Sequence, residues 1–486
     1  MTTRLRTRHP VLGFLLGLAI VIAGFVLYGR LYREASAPYF ATDEEHFLYG
    51  SVGTEREGVP FWIWLVLPRL FPEYLPGPGG YASTGIVSRD GHEMPIGLSK
   101  VTIGYPRVGI NCALCHTASY RMRPGDAPVI VPGAPAHQTA AQQYLRFLIM
   151  AAADPRFTAS TILDEIAKNT RLSTVDRLLY RFVIIPGTRR SLRRLGSANA
   201  WMWERPDWGR GRADLFNPLK YGLKLPIDTT IGHTDTVPLF NLKQHAGYFL
   251  QWDGMSDKLQ DVMIASALTA GAPAKWVDRD FSKWNSTKPE EMSSLRRVEN
   301  YISGVQAPPY PFPINRALVP AGETIYRRDC ASCHAPGGAR TGKVIPAAEV
   351  GTDRQRLDMW TPAAATAFNA FSAGHSWKFS EFKTTGGYVG VPLEGLWLRA
   401  PYLHNGSVPS LQDLLEKADQ RPRAFRRGYD VYDPVRVGFV SSGPEADRVG
   451  TLFDTSVAGG GNGGHSYGTD LPAADKAALI EYLKTL

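Results

Sequence analysis

The chain has 486 residues, 44% hydrophobic and 20% charged, enough to build two or three cored domains and too apolar for a disordered polymer. Its 48 glycines and 36 prolines make about 17% of the chain against a usual value of about 12%, which favours a loop-rich fold over a coiled coil or helical solenoid. The net charge is +9, yet Arg4, Arg6, Arg8, Arg30 and Arg33 lie in the first 33 residues, which hold no acid. The remainder has 49 bases and 45 acids and no basic run, so nucleic acid is excluded as the partner.

Residues 11–28 form an uncharged run of 18, where a membrane span needs about 20 apolar residues and a cleavable signal core has about 7–15. Residues 1–33 therefore read as an uncleaved membrane anchor. The arginines ahead of the run favour an N-inside orientation, which Arg30 and Arg33 weaken. Ala35-Ser36-Ala37 offers a cleavage site, so a long signal peptide is the alternative. A second apolar stretch, residues 59–71, is broken by Pro68 and Arg69 and reads as core or interfacial helix.

The four cysteines fall in two motifs, Cys112-Ala-Leu-Cys115-His116 and Cys330-Ala-Ser-Cys333-His334. In C-x-x-C-H the two thiols form thioethers with haem vinyl groups, and the adjacent histidine becomes the proximal iron ligand. The expectation is two covalently attached c-type haems, with a C-x-x-C redox pair as the bland alternative. Val237-Pro-Leu-Phe-Asn-Leu and Val391-Pro-Leu-Glu-Gly-Leu then begin two stretches in register, each following a haem motif and each followed by an amphipathic helix, near 294–305 and 472–486. Three landmarks recurring in one order mark a duplication. The fold expected is mainly α: a first cytochrome c-like haem domain over 34–306 and a second over 307–486, with loop-rich insertions, behind one N-terminal transmembrane helix. Residues 307–314 are a proline-rich linker. The first copy is longer between haem motif and VPL box, 125 residues against 61. Helical patterns at 138–153, 158–169 and 174–184 occupy the excess, placed to cover or line the first haem.

The chain resembles the superfamily of bacterial dihaem cytochrome c peroxidases, the methylamine-utilisation dihaem enzyme and the dihaem rubber oxygenases. The residues that carry the resemblance are the two haem motifs, Gln251-Trp252-Asp253-Gly254, the box from Ala400 through His404 to Val408, and Gly464-His465-Ser-Tyr-Gly468. The last third is most similar to the rubber-oxygenase branch. The anchor places the chain in a bacterial inner membrane with its haem domains in the periplasm, and the resemblance implies His465 as sixth ligand of the second haem and His404 beside that haem. It also implies that Trp252 carries electrons between haems and that a calcium ion is held by backbone carbonyls between the domains.

His404, His375 and Met359 are the other candidate sixth ligands of the second haem. The first copy has no counterpart of His404 or His465, so an open first haem is expected, which Met255, Met263, His233 or His245 would have to close. Gln260 and Asp261 stand where the peroxidases place catalytic side chains, but the glutamate of those enzymes is missing, and residues 262–268 are apolar enough for an oxygenase pocket. Peroxide reduction is the first expectation. Oxygenation of an apolar organic substrate and a non-catalytic two-haem relay are the alternatives. The electron partner would be a small cytochrome, a cupredoxin or a quinol-linked donor.

Overall fold

A computed structural model describes residues 10–486; Arg4, Arg6 and Arg8, on which the orientation of the anchor was argued, lie outside the described residues. The helix Pro10–Tyr32 stands free of the rest, none of its apolar stretch Gly13–Tyr32 being buried. It is long and apolar enough to cross a membrane. Its end is tied to the first half: Gly104 N donates to Arg33 O at 2.7 Å and Ala35 N to Thr102 O at 2.9 Å.

Each half is closed by one crossing of two helices. In the first half, Asp43–Tyr49 packs on Ser294–Gly304. The former is capped by Thr42, whose hydroxyl accepts Glu45 N at 3.1 Å, and carries three acids in its first turn against the helix dipole. In the second half, Val319–Asp329 crosses Ala473–Leu483, the helix expected near 472–486. There Gly322 sits so close that a Cβ would fall 2.0 Å from Ala478 O. Between the helices of the first crossing the chain inserts an antiparallel sheet, Leu98–Ile103 on Tyr105–Ile110 on Val59–Pro60. The apolar stretch at 59–71 becomes the helix Phe61–Leu70, with Phe61, Ile63, Trp64, Val66 and Leu67 buried in the core.

The expected insertion forms the helices Ala141–Ala153, Ala159–Ala167 and Thr174–Leu179, then a π turn and Ile185–Ala198. Short ladders that the sequence pattern did not reveal, such as Ala424–Arg427 on Thr451–Asp454, stiffen the second half.

The packing does not follow the chain division at 306/307. Met359, Trp360, Phe368, Trp377, Phe379 and Phe382 belong to the core of the first half, while Ala118, Tyr120, Ala134 and Phe240 join that of the second. The linker is likewise fixed: Trp397 Nε1 donates to Pro308 O at 3.0 Å, and Phe312 stacks on Tyr432 with ring centres 5.3 Å apart.

Candidate haem sites

Asn111 locks the first motif onto the opening helix. Its Oδ1 accepts Ala113 N at 3.0 Å, and its Nδ2 donates to Leu48 O and Gly50 O at 3.2 and 3.0 Å. His116 then faces Val237, the first residue of the VPL box, with Nδ1 3.1 Å from the carbonyl oxygen. His334 does the same with Val391, first residue of the second box, at 2.7 Å. A carbonyl can only accept, so each histidine carries its proton on Nδ1 and keeps Nε2 bare for a metal. Burial lowers the His116 pKa to about 4, which keeps the imidazole neutral as ligation requires.

The thiols fit attachment better than redox exchange. All four cysteines are free. Burial pushes the Cys112 thiol up to about 12, and Cys115 and Cys330 up to about 11, whereas redox-active C-x-x-C thiols are depressed to about 3.5–7.5.

Across from His334 stands His465, ring centre to ring centre 6.1 Å. Two imidazoles sharing one metal through bonds of about 2 Å have their centres about 6 Å apart, so the pair fits an iron between them. His465 is held in a left-handed turn (φ 46°), its N donating to Val350 O at 2.7 Å. Arg421 grips the same loop, donating to Asn462 O at 2.6 Å and Gly464 O at 2.8 Å.

The other candidates for that position are engaged. Tyr388 donates its hydroxyl proton to Asp353 O at 2.5 Å, so the 3.0 Å contact with His404 is a donation from His404 Nε2. His375 pairs with Asp278 at 2.9 Å, and Met359 is sealed in the core.

The cavity beside His116 is of a different kind. It is lined by Leu215, Phe216, Ser266, Ala267, Thr269 and Ala270, with Asp235, Gln251 and Arg356 as its longer polar side chains. No histidine other than His116 and no methionine lines it. Met255 accepts from Arg356 at 3.2 Å, Met263 is in the core, His245 faces Glu394 at 3.1 Å, and His233 is buried near Trp208. The inserted helices do not line it either; the covering role expected of them falls to residues 213–216 and to the end of the helix Leu259–Thr269.

Gln260 and Asp261 are also outside the cavity, because they lie on the first turn of that helix and only its last turn reaches the site. Asp261 instead accepts Ser380 N at 2.8 Å and Ser380 Oγ at 2.6 Å, tying the halves together. The two hydroxyls of that helix that line the cavity are satisfied within the helix: Ser266 donates to Val262 O at 2.7 Å and Thr269 to Ser266 O at 2.9 Å.

Two residues that the motifs did not reveal line the cavity. Asp235, two positions before the VPL box, is buried against Arg427, and burial raises its carboxyl to about 6. Arg356 comes from the second half and contacts Asp253 at 3.1 Å, while its buried Nε has no partner. An orphaned guanidinium nitrogen there suits a haem propionate.

Trp252 bridges the halves. Its indole Nε1 donates to Asp235 O at 2.6 Å, and its own carbonyl accepts Val389 N at 2.9 Å. Asp235 and Val389 each lie two residues before the carbonyl that holds a proximal histidine, and Trp252 lines a cavity with both Val237 and Val391. Among the described residues no group of three or more His, Cys, Asp or Glu side chains gathers as a metal cluster; the calcium expected on backbone carbonyls would not make one.

This arrangement defines a cytochrome c-like haem protein, and comparison with known proteins agrees. The family described as RoxA-like, cytochrome c-like matches residues 387–426, the stretch holding Tyr388, Val391 and His404. The matched stretch is a cytochrome c-like domain, which implies covalently bound c-type haem. It is also similar to two proteins of Sinorhizobium fredii (strain NBRC 101917 / NGR234). It is 32% identical over 310 residues to uncharacterized protein y4iM, which covers 54% of this chain and 66% of that protein. It is 41% identical over 108 residues to uncharacterized protein y4iJ, 20% and 18% of the two chains. The chain spans less than two thirds of the length of either relative.

Proposed function

We propose that the protein is a membrane-anchored dihaem c-type oxidoreductase whose two haems do different work. Cys330, Cys333 and His334, with His465 as sixth ligand, would hold an electron-transfer haem. Cys112, Cys115 and His116 would hold a haem with one position open. An iron centre of that second kind supplies binding and redox activation of dioxygen or peroxide. The observation that carries the reading is the contrast between an imidazole 6.1 Å from His334 and a first cavity lined by no histidine other than His116 and by no methionine. The carbonyls of Val237 and Val391 orient the two imidazoles, and Trp252 joins them through Asp235 and Val389. The helix Pro10–Tyr32 would hold both halves at the periplasmic face of the inner membrane, within reach of a small cytochrome, cupredoxin or quinol-linked donor.

The lining supports dioxygen chemistry on an apolar organic substrate. Leu215, Phe216, Ala267 and Ala270 offer apolar contact, and no hydroxyl or carboxylate of the helix Leu259–Thr269 is free there to move a proton. Peroxide reduction is the second reading, and Asp235 favours it: a carboxyl raised to about 6 suits proton exchange near neutrality.

Electron paramagnetic resonance of the oxidised protein, before and after His465→Ala, tests the division of labour. One high-spin and one low-spin signal are expected, with only the low-spin signal altered by the substitution. Two low-spin ferric signals, with neither haem binding carbon monoxide once reduced, would overturn the open first site and select a two-haem relay. Oxygen uptake with an unsaturated hydrocarbon and no added reductant is expected; peroxide consumption from a reduced cytochrome, lost in Asp235→Asn, selects the second reading.

A further inference from the structure

The inserted helices line neither haem site, yet one of them has an uncommon surface. Thr174–Leu179 runs through a π turn, Tyr180–Ile184, into Ile185–Ala198. Leu179, Tyr180, Ile184, Ile185 and Leu192 bury one face in the core of the first half. The opposite face leaves Val175, Leu178, Phe182 and Val183 44%, 51%, 68% and 46% exposed. The turn is wide, and Phe182 and Val183 emerge side by side.

Charge accompanies this apolar strip. Residues 171–194 hold seven arginines and one acid, Asp176. Arg189 is spent on Ala152 O and Asp154 O. Among the described residues, Arg177, Arg181, Arg190, Arg193 and Arg194 pair with no carboxylate. A strip of apolar residues flanked by unpaired arginines is the composition of a helix lying in a lipid interface.

The location points the same way. Asp176 takes a two-pronged ion pair from Arg30, at the last turn of the apolar helix Pro10–Tyr32, at 2.6 and 2.8 Å. Tyr180 meets Tyr105 edge to face at 6.3 Å, on the hairpin whose Gly104 sits against Leu31. The strip therefore begins where the apolar helix ends.

We propose that the face Val175, Leu178, Phe182 and Val183 rests in the interfacial layer of an anionic phospholipid bilayer, beside the point where Pro10–Tyr32 enters it. The neighbouring arginines would bind lipid phosphate at an anionic surface. The inference rests on reading Pro10–Tyr32 as a retained membrane helix. It adds a second foothold that fixes the tilt of the haem halves over the membrane.

The test uses the full-length holoprotein in nanodiscs of phosphatidylcholine and phosphatidylglycerol. A nitrobenzoxadiazole label is placed on a single added cysteine: Val21→Cys in the apolar helix, Phe182→Cys on the strip, or Val435→Cys, 78% exposed in the second half. Quenching by doxyl-labelled lipid is read against the same discs without doxyl, which cancels energy transfer to haem. Labels at 21 and 182 should be quenched roughly twofold or more beyond the label at 435. Replacing Arg190, Arg193 and Arg194 by Glu should halve the effect at 182 and leave 21 unchanged. Quenching at 21 without quenching at 182 overturns the foothold and leaves the anchor standing, as a protein partner on this face would produce. No quenching at 21 overturns the anchor and the foothold together.

Discussion

The two halves of the molecule share their proximal architecture and differ in what lies beyond it. In both, a C-x-x-C-H histidine donates to the first carbonyl of a VPL box, and in both a pair of crossed helices closes the domain. The second half adds His465 at 6.1 Å from His334; the first places Ser266, Ala267, Thr269 and Ala270 along its cavity. The two halves thus agree around the C-x-x-C-H histidine and differ in the side chains that stand across from it. The crossings differ as well. In the second half Gly322 admits the carbonyl of Ala478. In the first, His46 bonds Ser294 Oγ at 2.8 Å and Arg297 reaches Asp43 at 2.7 Å. The first crossing borders a cleft lined by Glu34, His46 and Arg297.

The comparison can be broken outright by replacing Cys330 and Cys333 with Ala. One of two covalent haems should be lost, halving the haem per chain in a pyridine haemochrome assay, and an unchanged value would refute attachment at the second motif. His465→Ala should convert the low-spin signal to high-spin and let that haem bind cyanide or imidazole, whereas His404→Ala should leave the spin state alone. The opposite pattern would exchange their roles. Trp252→Phe keeps an aromatic ring at this position but deletes the bond to Asp235 O. It should cost about 1 kcal/mol of stability and slow electron transfer between the halves in a flash-reduction experiment. Gly322→Ala forces a Cβ against Ala478 O and should cost about 1–3 kcal/mol in denaturant unfolding. Ser294→Ala at the first crossing should cost about 1 kcal/mol; a larger loss than at Gly322 would reverse the ranking of the two closures.

Much of the site was legible because it is local. The haem motifs are five residues long, and the repeat carried the VPL boxes that meet them. His465 could be singled out because its loop directly precedes the closing helix, and the fold sets its ring centre 6.1 Å from that of His334. Gln260 and Asp261 misled because a helix shows a site one turn at a time, and here the last turn faces the cavity. Asp235 and Arg356 gave no signal: a lone Asp before a box and a lone Arg in a polar segment look like surface residues until burial makes their charge matter.

The sequence by itself determined the two C-x-x-C-H motifs, the paired VPL boxes and the apolar N-terminal helix, since each depends on residue type at short spacing. Tertiary structure alone decided which residues line the first cavity. It also decided how residues 359–382 cross into the other core and which face of 174–198 stays uncovered. Those outcomes follow from packing between segments separated along the chain, where apolar burial has no direction of its own and only the folded arrangement selects the partners.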